Sequence, residues 1–506
     1  MANMHSATTA RDSETITGGG ASGAVPHWEV AVIGAGPGGL GLAIQLVKAG
    51  RRDFVLFEAS DGVGGTWRTN TYPGAACDVP SHLYSYSFAL KADWSKTYAE
   101  QPEILRYFED CADRFGVRPH LRTNTRITAA AWDTGAQRWR LTDAGGAIYE
   151  ADVLVSAIGT FTTPSMPELE GLATFAGPCF HSARWEHEHD LAGRRIAVIG
   201  TGASAAQIVP ELAKGAQSVH VFQRTAQWIL PRSDKPFTEE EKRRFARHPV
   251  EMRRHRQEIY SAYENMVAFR RGGEGVAQLE AIARGHIEYR ITDEELRAKL
   301  TPDQPFGCKR TLVCSDFYKA LLRDNVELVT DPIERVTPGA IATADGSERP
   351  VDAIVLATGF RATEYLKGIE VVGVDGRRLH EDWSEVAHAY LGLTVSGYPN
   401  FFMLYGPNTN QGANSIIVML EAQADYVLGA LRAMRRLRVQ AIEVRREVME
   451  EYNRDLAEAL AGTVWHDGCQ SYFKNANGKI ATQLPQTAGW YVERTKRFQM
   501  GEYVRS

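Results

Sequence analysis

Two short glycine-rich runs are the residues of this chain best suited to hold phosphate. Gly34-Ala35-Gly36-Pro37-Gly38-Gly39 follows the apolar stretch WEVAVI, and Gly200-Thr201-Gly202-Ala203-Ser204-Ala205 follows RRIAVI. In a strand–loop–helix turn the first glycine permits the tight bend and the second lets backbone approach a pyrophosphate. The third position lets helix and strand pack closely. The helix N-terminus then offers unsatisfied N–H groups to the anion. Which dinucleotide each run takes is set by the residue ending the next strand. Glu58, 19 residues after Gly39, can accept from the free ribose hydroxyls of FAD or NAD. The second unit's strand, SVHVFQRT, ends in Gln223, Arg224 and Thr225 with no acid. A cation there pairs with a 2′-phosphate and points to NADPH. Two such sites imply one bound redox cofactor and one nucleotide that feeds it electrons.

Loops of this kind must be carried by βαβ units, so the spacing predicts an α/β fold with two Rossmann-like dinucleotide-binding domains. HWEVAVIGAG, LGLAIQLVKAG and DFVLFEAS read as strand, helix and strand. RWRLTDAGGAIYEADVLVSAIG reads as a hairpin, turning near Gly145-Gly146, that feeds a buried strand. Thr160–Pro167 is rich in Thr and Pro and marks a domain boundary. The second βαβ unit spans about 194–224, and a charged, helix-favouring insertion runs from about 236 to 300. The strand pattern VDAIVLATGF (Val351–Phe360) then returns the chain toward the first domain, which SIIVMLEAQADYVLGALRAM and the residues after it complete. The expected division is a disordered tail over 1–26, the first domain over 27–160, the second over 161–361, and the rest of the first over 362–506.

With 506 residues the chain can bury more than one core. A net charge of −5 gives no electrostatic reason to expect nucleic acid or an anionic membrane. No apolar run approaches the roughly 18 residues of a membrane span, and the first 26 residues lack the apolar core of a signal peptide. The six cysteines are scattered, without metal-ligand spacing, so no metal site is expected and a reducing cytoplasm is the simplest location.

Between the loops lies FAGPCFHSARW (Phe175–Trp185), which matches F-x-G-x-x-x-H-x-x-x-W. Further blocks are GGTWRTNTYPGAACDVPSHLYSYSF from Gly64, QRTAQW from Gln223, the pair Lys309-Arg310, Ala357–Gly359, and GPNTNQG from Gly406. On these motifs the chain resembles the Baeyer–Villiger monooxygenases, and more loosely the flavin-containing monooxygenases, over nearly its whole length after the tail. The resemblance implies FAD in the first site, NADPH in the second and O2 as co-substrate. It also implies a peroxyflavin that attacks a ketone carbonyl to give an ester or lactone. Arg310 is then the cation that stabilises the reacting anion, Asp78 the carboxylate that holds it, and Lys309 a second ligand of the 2′-phosphate beside Arg224 and Thr225. His181, in the signature, is expected to be functionally important through conformation rather than as a general base. The expected cofactor contacts are Gly34, Gly36, Gly38, Gly39, Glu58, Thr66, Trp67, Asp78, Tyr84 and Ile127 for FAD. For NADPH they are Gly200, Thr201, Gly202, Ser204, Gln207, Arg224, Thr225, Lys309 and Arg310. GPNTNQG and the aromatics of Tyr84–Phe88 are expected near the pocket.

Two departures are visible. Glu186 follows Trp185 where the family usually has Pro or Asp, and Tyr472 stands where related enzymes often have Trp. The alternatives are a flavin N- or S-monooxygenase, which would not need Arg310, and a nucleotide-binding flavoprotein without turnover. A disulfide reductase would need a close cysteine pair at the flavin, and Cys308 and Cys314 lie in the wrong part of the chain.

Overall fold

The computed structural model describes residues 24–265, 269–466 and 468–506. All but the last three residues of the expected N-terminal tail lie outside them. The strand His27–Ile33 runs into the first glycine loop, the helix Pro37–Lys48 and the strand Phe54–Phe57. His27–Ile33 lies between Phe54–Phe57 and Ile148–Ser156, parallel to both. Arg138–Asp143 and Ile148–Ser156 pair antiparallel, as the hairpin pattern anticipates, with Gly146 at φ +83° in the turn. Two late segments join this sheet: Phe401–Met403 pairs parallel with Ile148–Ser156, and Glu370–Val372 parallel with Ile127–Asp133. Phe54–Phe57 and Phe401–Met403 are buried along their whole length, and the helices Pro37–Lys48 and Ile416–Leu437 pack against each other in the same core.

A second, five-stranded sheet is wholly parallel, in the order Val326–Val329, Ser218–Phe222, Arg195–Ile199, Ala353–Leu356, Cys179–His181. The helix Ala203–Leu212 follows its glycine loop. The signature segment therefore supplies an edge strand of this sheet, Cys179–His181, and then the short 3-10 turn Ser182–Arg184.

The insertion is helical, with helices at Glu239–Arg247, Pro249–Asn265, Glu274–Arg290 and Glu294–Leu300. Thr238 starts the first through a capping box: its hydroxyl accepts from Glu241 N–H at 3.1 Å and Glu241 Oε2 accepts from Thr238 N–H at 2.8 Å. The buried side chains of the insertion divide between two hydrophobic cores. Phe237, Phe245 and Met252 are buried in the core of the first sheet, whereas Ala283, Ile287 and Leu300 are buried in that of the second. The C-terminal region is divided too, since Leu456, Trp465, Phe473 and Tyr491 share the second core.

Two of the six cysteines, scattered in sequence, form a disulfide: Cys308 and Cys469, 161 residues apart in sequence, have Cα atoms 5.4 Å apart. Neither spacing nor composition carries that pairing. Among the described residues no helix is long and apolar enough to cross a membrane.

Candidate active site

Both glycine loops open into one cavity of about 1420 Å³ between the two sheets. They are built alike. A Cβ on Gly34 (φ +102°) would lie 2.7 Å from the carbonyl oxygen of Ala157, and one on Gly200 (φ +113°) 2.4 Å from that of Ala357. Each loop thus turns against the residue just past the end of a neighbouring strand, and no side chain fits between them. These cradles suit the pyrophosphates of two dinucleotides, bare backbone at a helix N-terminus being what the anion requires.

Beside the first cradle Glu58 is held in place by its neighbours. Its Oε2 accepts from Ala35 N–H at 2.7 Å, and its Oε1 from the amide and hydroxyl of Ser60, both at 2.8 Å. A fixed carboxylate facing the cavity fits a ribose diol, since it has acceptor capacity left. Beside the second cradle the charge is reversed. Burial, and then the neighbouring Arg224, push the Lys309 ammonium below the ordinary lysine range. Lys309 Nζ donates to Thr225 Oγ1, whose backbone carbonyl accepts from Thr201 Oγ1 at 3.2 Å. Two cations crowded on one polar rim fit a 2′-phosphate, which would relieve their repulsion.

Arg310 and Asp78 also face the cavity. Arg310 Nη2 donates to Asp78 Oδ1 at 2.7 Å and to Oδ2 at 2.6 Å, and Nε donates to Oδ2 at 3.2 Å. Asp78 raises the guanidinium pKa further against the opposing effect of burial, so Arg310 stays charged throughout the working pH range. The side chain is surrounded by protein yet 37 % exposed, because its free edge opens into the cavity.

Of the residues expected at the cofactors, all but Gly39 line the cavity. A Cβ on Gly39 would lie 1.9 Å from Gly34 O, so its role is close packing within the loop. His181 does not line the cavity and is 3 % exposed. Its Nε2 is 3.0 Å from Gly359 O, and its Nδ1 accepts from Ala183 N–H at 3.1 Å. That pairing requires the proton on Nε2, and burial lowers the ring's pKa, so His181 is a neutral link between two strand ends. Of the expected aromatics only Tyr84 reaches the cavity, where its hydroxyl accepts from Trp67 Nε1 at 2.9 Å. Tyr86 is fully buried and stacks on Phe88 at 4.9 Å in the core. Within GPNTNQG, Asn410 and Gln411 line the cavity while Gly406 packs against Gly392 O.

Sequence patterns did not single out Arg184 or Tyr405, which also line the cavity. Arg184 lies within the signature. Tyr405 has φ +60°, uncommon for a bulky residue, and donates to Asn410 Oδ1 at 2.8 Å. No local pattern marks a tyrosine in that conformation. Tyr472 lines the cavity as well, its ring packed on Phe473 at 4.6 Å.

A diol-type and a phosphate-type dinucleotide cradle facing one cavity, with a guanidinium also facing it, define a two-nucleotide flavoprotein oxidoreductase. The family model for pyridine nucleotide-disulphide oxidoreductases matches residues 31–268, a span that excludes both disulfide cysteines. A Baeyer-Villiger monooxygenase of Pseudomonas aeruginosa is 42 % identical over 483 residues, covering 95 % of this chain and 92 % of that protein. Among solved structures, an oxidised steroid monooxygenase bound to NADP superposes with a TM-score of 0.83 at 32 % identity, covering 93 % of this chain and 97 % of that one. A structure of OTEMO in complex with FAD and NADP gives 0.86 at 28 %, covering 96 % and 100 %. The chain belongs to the Baeyer–Villiger monooxygenase family. It is a flavin-dependent monooxygenase whose cofactors are FAD and NADPH.

Proposed function

We propose that this enzyme oxygenates a small ketone to an ester or lactone and that Arg310 is its catalytic cation. The observation that carries this reading is the bidentate contact of Arg310 with Asp78 at the cavity wall. Bound FAD would supply the activation of O2, with NADPH as its source of electrons. The protein's part is to hold both nucleotides, exclude water and stabilise negative charge as it develops on oxygen. Arg310 suits the last of these roles because it stays charged when desolvated. Asp78 fixes its fork in advance, so no reorganisation is needed during reaction. Amine or sulfide oxidation makes no such demand on a fixed cation.

In this reading the first glycine loop and Glu58 hold FAD, with Thr66, Trp67, Tyr84 and Ile127 along its length. The second loop, with Ser204 and Gln207, holds NADPH, and Arg224, Thr225 and Lys309 take its 2′-phosphate. His181 is a positioning residue that ties the signature strand to Gly359. The cytoplasm is the proposed location. The test is product identification by mass spectrometry, with purified enzyme, NADPH and a panel of cyclic, linear and aryl ketones plus one sulfide. Ketone plus one oxygen, released as ester or lactone, is the expected result. Conversion of the sulfide with no ketone turned over would overturn the proposal.

A further inference from the structure

Phe269, from the helical insertion, neither belongs to a glycine loop nor lines the cavity. Yet two cavity loops converge on its ring, which is 7 % exposed. A Cβ on Gly307 would lie 2.3 Å from Phe269 Cδ1, and one on Gly412 only 1.8 Å from Phe269 Cε2. Gly307 has a second reason to be glycine, its φ of +84°. Gly412 has none, because its φ lies outside the left-handed region, so the ring alone excludes a side chain there. A third segment closes the junction. Val464 N–H donates to Phe269 O at 2.8 Å, and Trp465 Nε1 donates to Gly307 O at 3.0 Å with its ring 5.4 Å from that of Phe269. The Cys308–Cys469 disulfide ties the first and third segments covalently.

What these segments carry gives the junction its meaning. Lys309 and Arg310 follow Gly307 by two and three residues, Asn410 and Gln411 precede Gly412, and Tyr472 follows Cys469; all of them line the cavity. We propose that Phe269 is a positioning residue, a wedge that sets the Arg310 loop against the Asn410 loop. This rests on the catalytic reading of Arg310 given above. A flat ring against two bare backbones leaves neither loop room to shift, since interiors of this density transmit displacement rather than absorb it. Without the ring both loops gain space on the side away from the cavity.

The test uses the FAD-loaded, full-length enzyme and the variants Phe269→Ala, Phe269→Leu, Gly412→Ala and Phe269→Ala/Gly412→Ala. Hydrogen exchange read by mass spectrometry should rise at 307–312 and 408–414 in Phe269→Ala, stay unchanged at the glycine loops, and return toward normal in Phe269→Leu. Ketone oxygenation should fall by about tenfold or more, toward the roughly 10²-fold loss that a 1 Å misplacement can cause, while FAD content holds. More of the NADPH consumed should then end as hydrogen peroxide. Gly412→Ala should perturb the wild type strongly but add little to Phe269→Ala, because its methyl enters vacated space. Unchanged exchange in both loops, or additive effects in the double variant, overturns the wedge. Altered exchange with undiminished oxygenation overturns its positioning role. If the wild type oxygenates no ketone, the reading of Arg310 fails, and the exchange cycle still decides whether Phe269 braces the loops.

Discussion

Arg310 combines a firm grip on Asp78 with an edge open to the cavity. Replacing it with alanine should leave NADPH-driven flavin reduction intact and lower ketone oxygenation by about 10²–10³-fold, the usual loss for one preorganised donor. Stopped-flow bleaching of the flavin followed by ester quantification separates the two steps, and ester formed at a near-normal rate would remove Arg310 from the mechanism. Lys309 makes a pH prediction. Burial and Arg224 lower its pKa, so its charge is lost as pH rises through that lowered value, before the ordinary lysine value of about 10.4. Its attraction for a 2′-phosphate is therefore present at neutral pH and lost on the alkaline side. The KM for NADPH should rise there while that for NADH stays flat, and Lys309→Arg should abolish the rise. Arg224→Ala should raise the KM for NADPH far more than that for NADH at every pH; equal effects on both would undo the 2′-phosphate assignment. Much at this scale was legible in sequence, because Glu58 and Arg224 stand at fixed offsets from their loops. Arg184 and Tyr405 were not, since nothing local tells a cavity-facing side chain from a core or surface one.

The two glycine loops were read from spacing because a phosphate cradle is made by consecutive backbone atoms. The disulfide lies at the opposite extreme: Cys308 and Cys469 meet only through the packing of the second core. Thiol titration of the unfolded protein should find four thiols before treatment with a dithiol reductant and six after it. Reduction should cost about 2–4 kcal/mol of stability, as closing a long loop does, and lower the melting temperature. Six titratable thiols without reductant would mean that the bridge does not form in solution. The signature segment lies between these cases. In sequence it lies between the loops, and its β-strand pairing beside Ala353–Leu356 makes it part of a sheet. Register of that kind depends on a partner strand more than 170 residues away in sequence.

Across the whole molecule, the insertion links the two cores, and His82 sits at one of its seams. The ring is 2 % exposed, and its neighbours Phe237, Phe245 and His255 all come from the insertion. Burial, then His255, Lys91 and Arg256 nearby, hold its pKa down to about 3. The unfolded chain takes up this proton near pH 6.5 and the folded one does not, so stability is lost as pH falls from about 6.5 toward about 3. His82→Phe should flatten that acid limb in melting curves taken from pH 7 to pH 4. An unaltered limb would show that another group is responsible. The charged, helix-favouring composition made the insertion legible as helical in sequence, a signal that acts within a turn or two of helix, as the Thr238 capping box seen in the structure does. Which core each helix would serve was not encoded at that range, because a buried apolar face fits any complementary partner. By itself, the sequence determined the two nucleotide folds, the character of each cradle and the presence of Arg310, all products of short-range spacing. Only the tertiary structure decided that both cradles share one cavity, that Asp78 meets Arg310 across 232 residues, and that His181 stands outside. Those outcomes depend on how distant surfaces pack, a choice made by the whole buried interior rather than by any one segment.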